Sequence, residues 1–232
     1  MDQLKLLTVL CVLVFFGFIV YLMISHEKKE LAKKVQIALA LGFSKVEPDQ
    51  ALLDQITRAY PHPKTNVRYE LKNVFRKIIA DGEVVIFDLN NTASEEDGQV
   101  ENQAVAIISP RLNLPHFVIH PLADTEGWAT NLANRVMRMA VARSGVLVEF
   151  PESADFHKKY LLTSLDPSAA QHFFEPQMLH HLAQTHLLNI NANENIFTLT
   201  SIDPTRKSFD QQSMADRINQ AMQIFQILQQ GN

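Results

Sequence analysis

The chain is poor in cysteine and glycine and has no strong excess of either charge. One cysteine in 232 residues cannot close an intramolecular disulfide, which excludes a disulfide-stapled secreted scaffold. Seven glycines, spaced far apart, leave no phosphate-cradling loop. The patterns Gly-x-Gly-x-x-Gly, Gly-x-x-x-x-Gly-Lys, Gly-x-Ser-x-Gly and His-Glu-x-x-His are all absent. A formal charge of −4 argues against a basic nucleic-acid binder, so no nucleic-acid partner is expected. What is present is apolar: 47% hydrophobic residues and 14 phenylalanines are too many for a disordered chain. The length suits one medium domain with something added.

The addition is at the start. Leu6 to Ile24 is a 19-residue run without a charge. As a helix it covers about 28 Å, close to the ~30 Å of a bilayer's hydrocarbon core. The run is longer than a signal peptide's apolar region, and no small-residue cleavage pattern follows it. It is therefore expected to be an uncleaved transmembrane anchor, with the bilayer as partner through residues 6–24. Lys5 alone precedes the span, whereas Lys28, Lys29, Lys33 and Lys34 follow it. The positive-inside rule then places the N-terminus outside and the rest in the cytoplasm, a single-pass inner-membrane topology. The same four lysines are candidates for contact with anionic lipid. Residues 35–232 carry 16 basic and 22 acidic side chains, so this part should be held off an anionic surface.

Helical spacing continues past the span. Leu31, Val35, Ala38 and Leu39 recur on one face, with Gly42 as a left-handed cap. Glu47-Pro48-Asp49 signals a second helix, with Pro48 in its first turn and Leu52, Leu53 and Ile56 as its stripe. Three parts are expected: an anchor over 1–25, a helical neck over 26–66 and a soluble α+β domain over 67–232. In the third, the period changes to two. Val74–Ile79, Val84–Phe87, Val105–Ile108 and Phe117–Ile119 read as four strands of an antiparallel meander, with Asp81-Gly82 as its first tight turn. Trp128, Leu132, Val136 and Met139 share a helical face before Gly145, and Val146–Phe150 reads as a fifth strand. A less regular region begins at Phe156, Tyr160 and Leu161. A short helix follows from Pro176 to Leu182, then a hairpin of Leu188–Ile190 with Ile196–Leu199 around a loop at Asn191–Asn195. Met214, Ile218, Ala221, Met222 and Phe225 mark a terminal helix that should pack on the sheet. The fold class is α+β, a mainly antiparallel sheet packed by helices.

The chemistry-bearing residues form no site by spacing, and no catalytic, cofactor-binding or metal residue is assigned. His116 and His120 would share a strand face but stand about 13 Å apart, too far to hold one metal ion. His180, His181 and His186 lack the i, i+4 ligand spacing, and His172 is remote in sequence. Glu95, Glu96, Asp97 and Glu101 lack the alternating oxygen ligands of a calcium loop and read as a solvated hairpin tip. Arg135, Arg138 and Arg143 read as a helix's polar face. Cys11 lies inside the apolar run, where it is a packing residue rather than a nucleophile.

Several short motifs together resemble a family. Gly82-x-x-x-x-Phe87-Asp88, Leu114-Pro115-x-Phe117-x-Ile119-x-Pro121, Phe156-x-x-x-Tyr160 followed by Asp166, and Phe174-x-Pro176 are the residues that carry it. They are similar to those of uncharacterised bacterial membrane-anchored proteins with an N-terminal helix and a small soluble domain, over roughly residues 70–230. The resemblance implies architecture and no chemistry. Two functions remain: a membrane-anchored, non-catalytic interaction or assembly module with an unknown protein partner, or an enzyme or small-ligand sensor whose pocket has no local motif.

Overall fold

The computed structural model describes residues 18–19, 21–22, 25–26, 28–60, 69–91, 100–122, 134–135, 137–138, 141, 145–185, 188–201 and 211–231. The expected anchor lies outside these residues except for Phe18, Ile19, Tyr21, Leu22 and Ser25, which are helical. Among the described residues no helix is long and apolar enough to cross a membrane.

Helix α1 comprises the described residues 18–19, 21–22, 25–26 and 28–40. It ends as its sequence predicts. Gly42 takes φ +81, the Phe43 N–H donates to Ala38 O at 2.9 Å, and the Gly42 N–H donates to Leu39 O at 3.0 Å. That is a Schellman closure, which a glycine adopts without a Cβ penalty. Strand β1 (Ser44–Lys45) and helix α2 (Gln50–Thr57) follow. The cap of α2 is Asp49, whose Oδ1 accepts from Leu52 N at 2.7 Å, so Pro48 precedes the helix instead of entering its first turn.

Four strands come next, β2 (Tyr69–Ile79), β3 (Gly82–Asn91), β4 (Val100–Ile108) and β5 (Leu114–Pro121). A helical segment, α3, is described at residues 134–135, 137–138 and 141. Its expected stripe of Trp128, Leu132, Val136 and Met139 lies outside the described residues, as do the acids Glu95, Glu96 and Asp97. After it come β6 (Val146–Val148), α4 (Ala154–Lys159), β7 (Tyr160–Ser164), α5 (Pro167–Phe173), α6 (Pro176–Gln184), β8 (Leu188–Glu194), β9 (Ile196–Ser201) and α7 (Gln211–Leu228). The described strands form one antiparallel sheet in the order β1-β2-β3-β4-β9-β8-β5-β7-β6. This is α+β, a large antiparallel sheet packed by helices.

The order corrects the expected four-strand meander. β2, β3 and β4 are consecutive neighbours, but β5 is separated from β4 by the β9–β8 hairpin. A short connection does not require adjacency, because residues 109–113 span the three strand spacings, about 14 Å, that the hairpin fills. The hairpin turn lies against that link, with the Ser109 N–H donating to Asn195 O at 2.9 Å. The expected loop at Asn191–Asn195 is mostly strand: Asn193 opposes Ile196, leaving Glu194 at φ +54 and Asn195 as the turn. The irregular region expected at Phe156 resolves into α4 and β7. All five residues of β7 are buried, and the strand is sandwiched between β5 and a β6 shorter than expected.

Both faces of the sheet are covered. On the first, Phe75, Ile86, Ile107, Phe117, Ile119, Leu162, Ile190, Phe197 and Leu199 join Ile37 and Ala38 of α1 and the buried stripes of α5, α6 and α7 in one core. Phe117 meets Phe174 edge-on at 4.8 Å between centroids, an arrangement aromatic rings favour. On the second face, Leu52 and Ile56 of α2 cover Val85, Phe87, Leu89, Ala104 and Ala106. A smaller cluster of Leu122, Val141 and Leu161 lies towards the other edge. The stretch read as a neck thus packs onto the domain, with β1 extending the sheet edge beside Phe75 and Arg76.

The first hairpin turn is one residue earlier than expected, with Ile79 opposite Gly82 and Ala80-Asp81 between them. Gly82 has φ +147, and a Cβ there would stand 2.1 Å from Ile108 O. The glycine is needed both for its backbone region and for the close approach of β4. Gly82→Val is expected to destabilise the domain by more than ~2 kcal/mol. Chemical denaturation of the purified protein checks this; a change under ~0.5 kcal/mol would rule out the crowding.

Candidate functional site

Polar chemistry is buried in two places. The first joins α1 to the sheet. Asp88 interrupts the apolar strand Val84–Leu89 and is only 7% exposed. Its Oδ2 accepts from Lys34 Nζ at 2.9 Å and from Asn73 Nδ2 at 2.7 Å. Asn73 lies in the bulge of β2 between Lys72 and Phe75, at φ +51. Asparagine is among the few residues that tolerate that region, and the bulge re-aims its amide towards the carboxylate. One lysine from α1 and one strained asparagine thus hold a buried carboxylate. Near the other end of this contact, Lys77 Nζ donates to Leu41 O at 2.8 Å and lies 5.6 Å over the Phe43 ring.

Of the four lysines expected to meet anionic lipid, Lys34 turns inward to Asp88, while Lys28, Lys29 and Lys33 stay exposed. The physical reason is angular. Lys33 and Lys34 differ by 100° around the helix, enough to move one from the solvent face to the sheet.

The second place is on the second sheet face, between the clusters under α2 and α3. The register aligns Ala106, Thr198, Asn191, Val118, Thr163 and Leu147 in one row across six strands. Thr200 and Asn189 are paired beside it. Thr198, Thr163 and Asn191 are buried, so the sheet carries a neutral polar strip where helices would normally find apolar residues. Asn191 Nδ2 reaches Thr198 Oγ1 at 3.4 Å, and Asn193 Nδ2 donates to Arg58 O at 3.1 Å. Asn189 Oδ1 is buried with no hydrogen-bond partner among the described residues.

His120 projects into the same region, with Nε2 3.5 Å from Thr163 Oγ1. Burial lowers its pKa to about 4, so the ring is neutral at pH 7. The distance to Thr163 exceeds the 2.6–3.2 Å of a working nucleophile–base pair. Among the described residues the strip offers neutral hydrogen-bonding groups.

Among the described residues the other histidines form no three-residue cluster. His180 and His181 are neighbours on α6, with ring centroids 6.3 Å apart, and His172 Nδ1 is 2.7 Å from Ser168 O. His157 Nε2 accepts from Phe150 N at 2.8 Å, and its pKa is lowered by burial, with Arg138 adding to the effect and Glu149 opposing it. His62, His186 and Arg143 lie outside the described residues, as does Cys11. Among the described residues no group of three His, Cys, Asp or Glu side chains is placed to hold a metal ion. Arg135 and Arg138 are exposed on α3, consistent with a polar helix face.

Sequence reasoning missed both buried polar groups. The signals were present but slight: one acid in an apolar strand, and asparagines and threonines alternating along Asn189–Asn193 and Thr198–Thr200.

The class these observations define is an antiparallel α+β sheet covered by helices on both faces. Protein-family models give no match, and neither do curated proteins. Among solved structures, the chain is similar to the crystal structure of the mycobacterial trehalose monomycolate transport factor A, TtfA. The TM-score is 0.52 at 12% identity, over 85% of this chain and 93% of that one. At that identity the likeness concerns the fold alone.

Two measurements check this geometry. Lys34→Met and Asp88→Asn should each cost about 2 kcal/mol, with a double mutant less destabilised than the sum of the two. Additive losses would mean that the pair does not couple α1 to the sheet. For His120, the folded value near 4 lies below the unfolded 6.5, so the unfolded state binds the extra proton. Its stabilising contribution is complete above about pH 6.5 and is lost as pH falls towards 4, up to about 3 kcal/mol. Subtracting the stability–pH curve of His120→Gln from that of the parent should isolate this slope; a flat difference would place His120 in water.

Proposed function

We propose that the protein is a membrane-anchored, non-catalytic module that presents its α+β domain to a protein partner in a membrane process. The observation that carries this reading is at the start of α1. Phe18, Tyr21 and Leu22 are described helical residues that stay 57%, 66% and 49% exposed. They end the uncharged run from Leu6 to Ile24, and a bilayer is the apolar environment that such a run fits. The exposed Lys28 and Lys29 lie within about 8 Å of the end of the run along the helix, where headgroups lie, which supports contact with anionic lipid and a cytoplasmic domain. The absence of catalytic sequence motifs and the long His120–Thr163 distance favour binding over catalysis. TtfA, whose fold this chain shares, is a transport factor, and an accessory role of that kind is in keeping with the reading.

A second reading, a small-ligand sensor, draws on the neutral strip around Asn189 and His120, whose hydrogen-bonding groups suit an uncharged polar ligand.

Membranes washed in alkaline carbonate should retain the full-length chain, and a cytoplasmic reporter fused after Asn232 should be active while an exported phosphatase is silent. Replacing Lys28, Lys29 and Lys33 with Gln, leaving Lys34 to Asp88, should mix the two orientations. Release by carbonate would end the anchor reading, and an active phosphatase on the parent chain would reverse the topology.

A further inference from the structure

The polar strip on the second sheet face runs from a closed row to an open one. In the closed row, Thr198, Asn191 and Val118 are aligned across β9, β8 and β5, and all three are buried. Two residues along each strand, on the same side of the sheet, come Thr200, Asn189 and His120. Asn189 faces Thr200 directly, and the Ile119–Ile190 pair sets His120 beside Asn189. Thr200 keeps 9% of its surface exposed, and Asn189 and His120 are half-buried, so the strip meets solvent at this row. The bonds that cross the strip are long. Asn191 Nδ2 stands 3.4 Å from Thr198 Oγ1 and His120 Nε2 stands 3.5 Å from Thr163 Oγ1, whereas Asn73 meets Asp88 at 2.7 Å on the first face. Asn189 Oδ1 is buried and has no hydrogen-bond partner among the described residues. Its amide turns about a soft χ2, so either the oxygen or the NH2 can be presented at the open row. The strip thus keeps donors and acceptors that its own members use poorly.

We propose that the open row of Thr200, Asn189 and His120 binds a small uncharged polyol of the size of one sugar ring. This deepens the sensor reading given above and rests on it. Charge selects first. The side chains of the strip are neutral, His120 included at pH 7, so none of them would offset the desolvation of a carboxylate or a phosphate. An apolar ligand would leave the amide and the hydroxyl unpaired. A ligand hydroxyl both donates and accepts, as an asparagine amide does, and two neighbouring ring hydroxyls can engage the NH2 and the oxygen of Asn189 together. Neighbouring strands lie about 4.8 Å apart, so Thr200 and His120 flank Asn189 within reach of hydroxyls on the two sides of one ring. On the β7 side, Leu161 is paired with His120 and packed with Val141 of α3, an apolar flank for the ring's C–H groups.

The test is saturation-transfer NMR on the full chain in a sugar-free detergent. Glucose, myo-inositol and maltose are the neutral probes, and glucose 6-phosphate and glucuronate are the charged ones. At least one neutral probe should take up saturation, at least five-fold more than either charged probe. Asn189→Leu should cut that signal at least five-fold without lowering the melting temperature, because it removes a buried acceptor that lacks a partner. Thr200→Val, which exchanges a hydroxyl for a methyl, should cut it at least two-fold and repeats the comparison if leucine at 189 disturbs folding. Charged probes that bind as well as the neutral ones, and are lost in Asn189→Leu, would overturn the polyol class and keep the sensor reading. A neutral signal that survives both substitutions would place the polyol elsewhere and overturn the site. No signal from any probe would overturn the proposal, and if Asn189→Leu also lowered the melting temperature, the strip would be packing alone and the sensor reading would fall with it.

Discussion

The pairing of β9 with β4 and of β8 with β5 is the constraint on which the rest of the structure depends. Without that hairpin, β4 and β5 would face each other across an open gap with a row of unpaired N–H and C=O groups on each side. The link of residues 109–113 holds the two strands at a separation that only two further strands can fill. Residues 188–201, late in the chain, are thus required to complete a sheet begun before residue 80. The Ser109–Asn195 hydrogen bond fixes how deep the hairpin enters. Contacts of such long sequence separation pay their loop-closure entropy before packing rewards it, which makes the sheet one cooperative unit.

The inserted hairpin also decides what each face carries. Because strand side chains alternate, Ile190, Ala192, Phe197 and Leu199 complete the large core, and Asn191 and Thr198 go to the other face. The first face is sealed by α1, α5, α6 and α7 and is largely apolar, with the buried Asp88 held there by Lys34 of α1. The second carries helices towards its two ends, and its centre is polar. Within this strip Asn191 bonds Thr198, whereas Asn189 Oδ1 is buried without a hydrogen-bond partner among the described residues. His120 fits there because it stays neutral; a charged ring in that position would oppose folding.

Much of the architecture was legible from local pattern. The Gly42 cap, the helix at Leu52 and Ile56, the alternation from Val84 to Phe87 and the buried stripe of Met214, Ala221 and Phe225 each follow from periodicity and capping chemistry within a few residues. Strand order was not legible, since nothing in residues 100–121 records that a hairpin 70 residues later will separate β4 from β5. β7 was hidden for another reason. Tyr160–Ser164 is buried on both faces, so it lacks the alternation of a half-exposed strand. The Asp88 node was illegible because it is built by convergence: Lys34, Asn73 and Asp88 come from a helix, a bulge and a strand, and none has a local signature. Asp88 did belong to the motif Gly82-x-x-x-x-Phe87-Asp88, but a motif without a partner assigns no role.

The same helix therefore treats identical side chains in opposite ways. Lys34 is withdrawn to a carboxylate, and Lys29 and Lys33 remain outside, because the sheet fixes the rotation of α1 through Ile37, Ala38 and Asp88. A rotation fixed on one side also fixes the direction of the other. The outer side of α1 therefore carries Lys29, Lys33, Gln36 and Leu39 to solvent, while the side towards the sheet carries Lys34, Ile37 and Ala38.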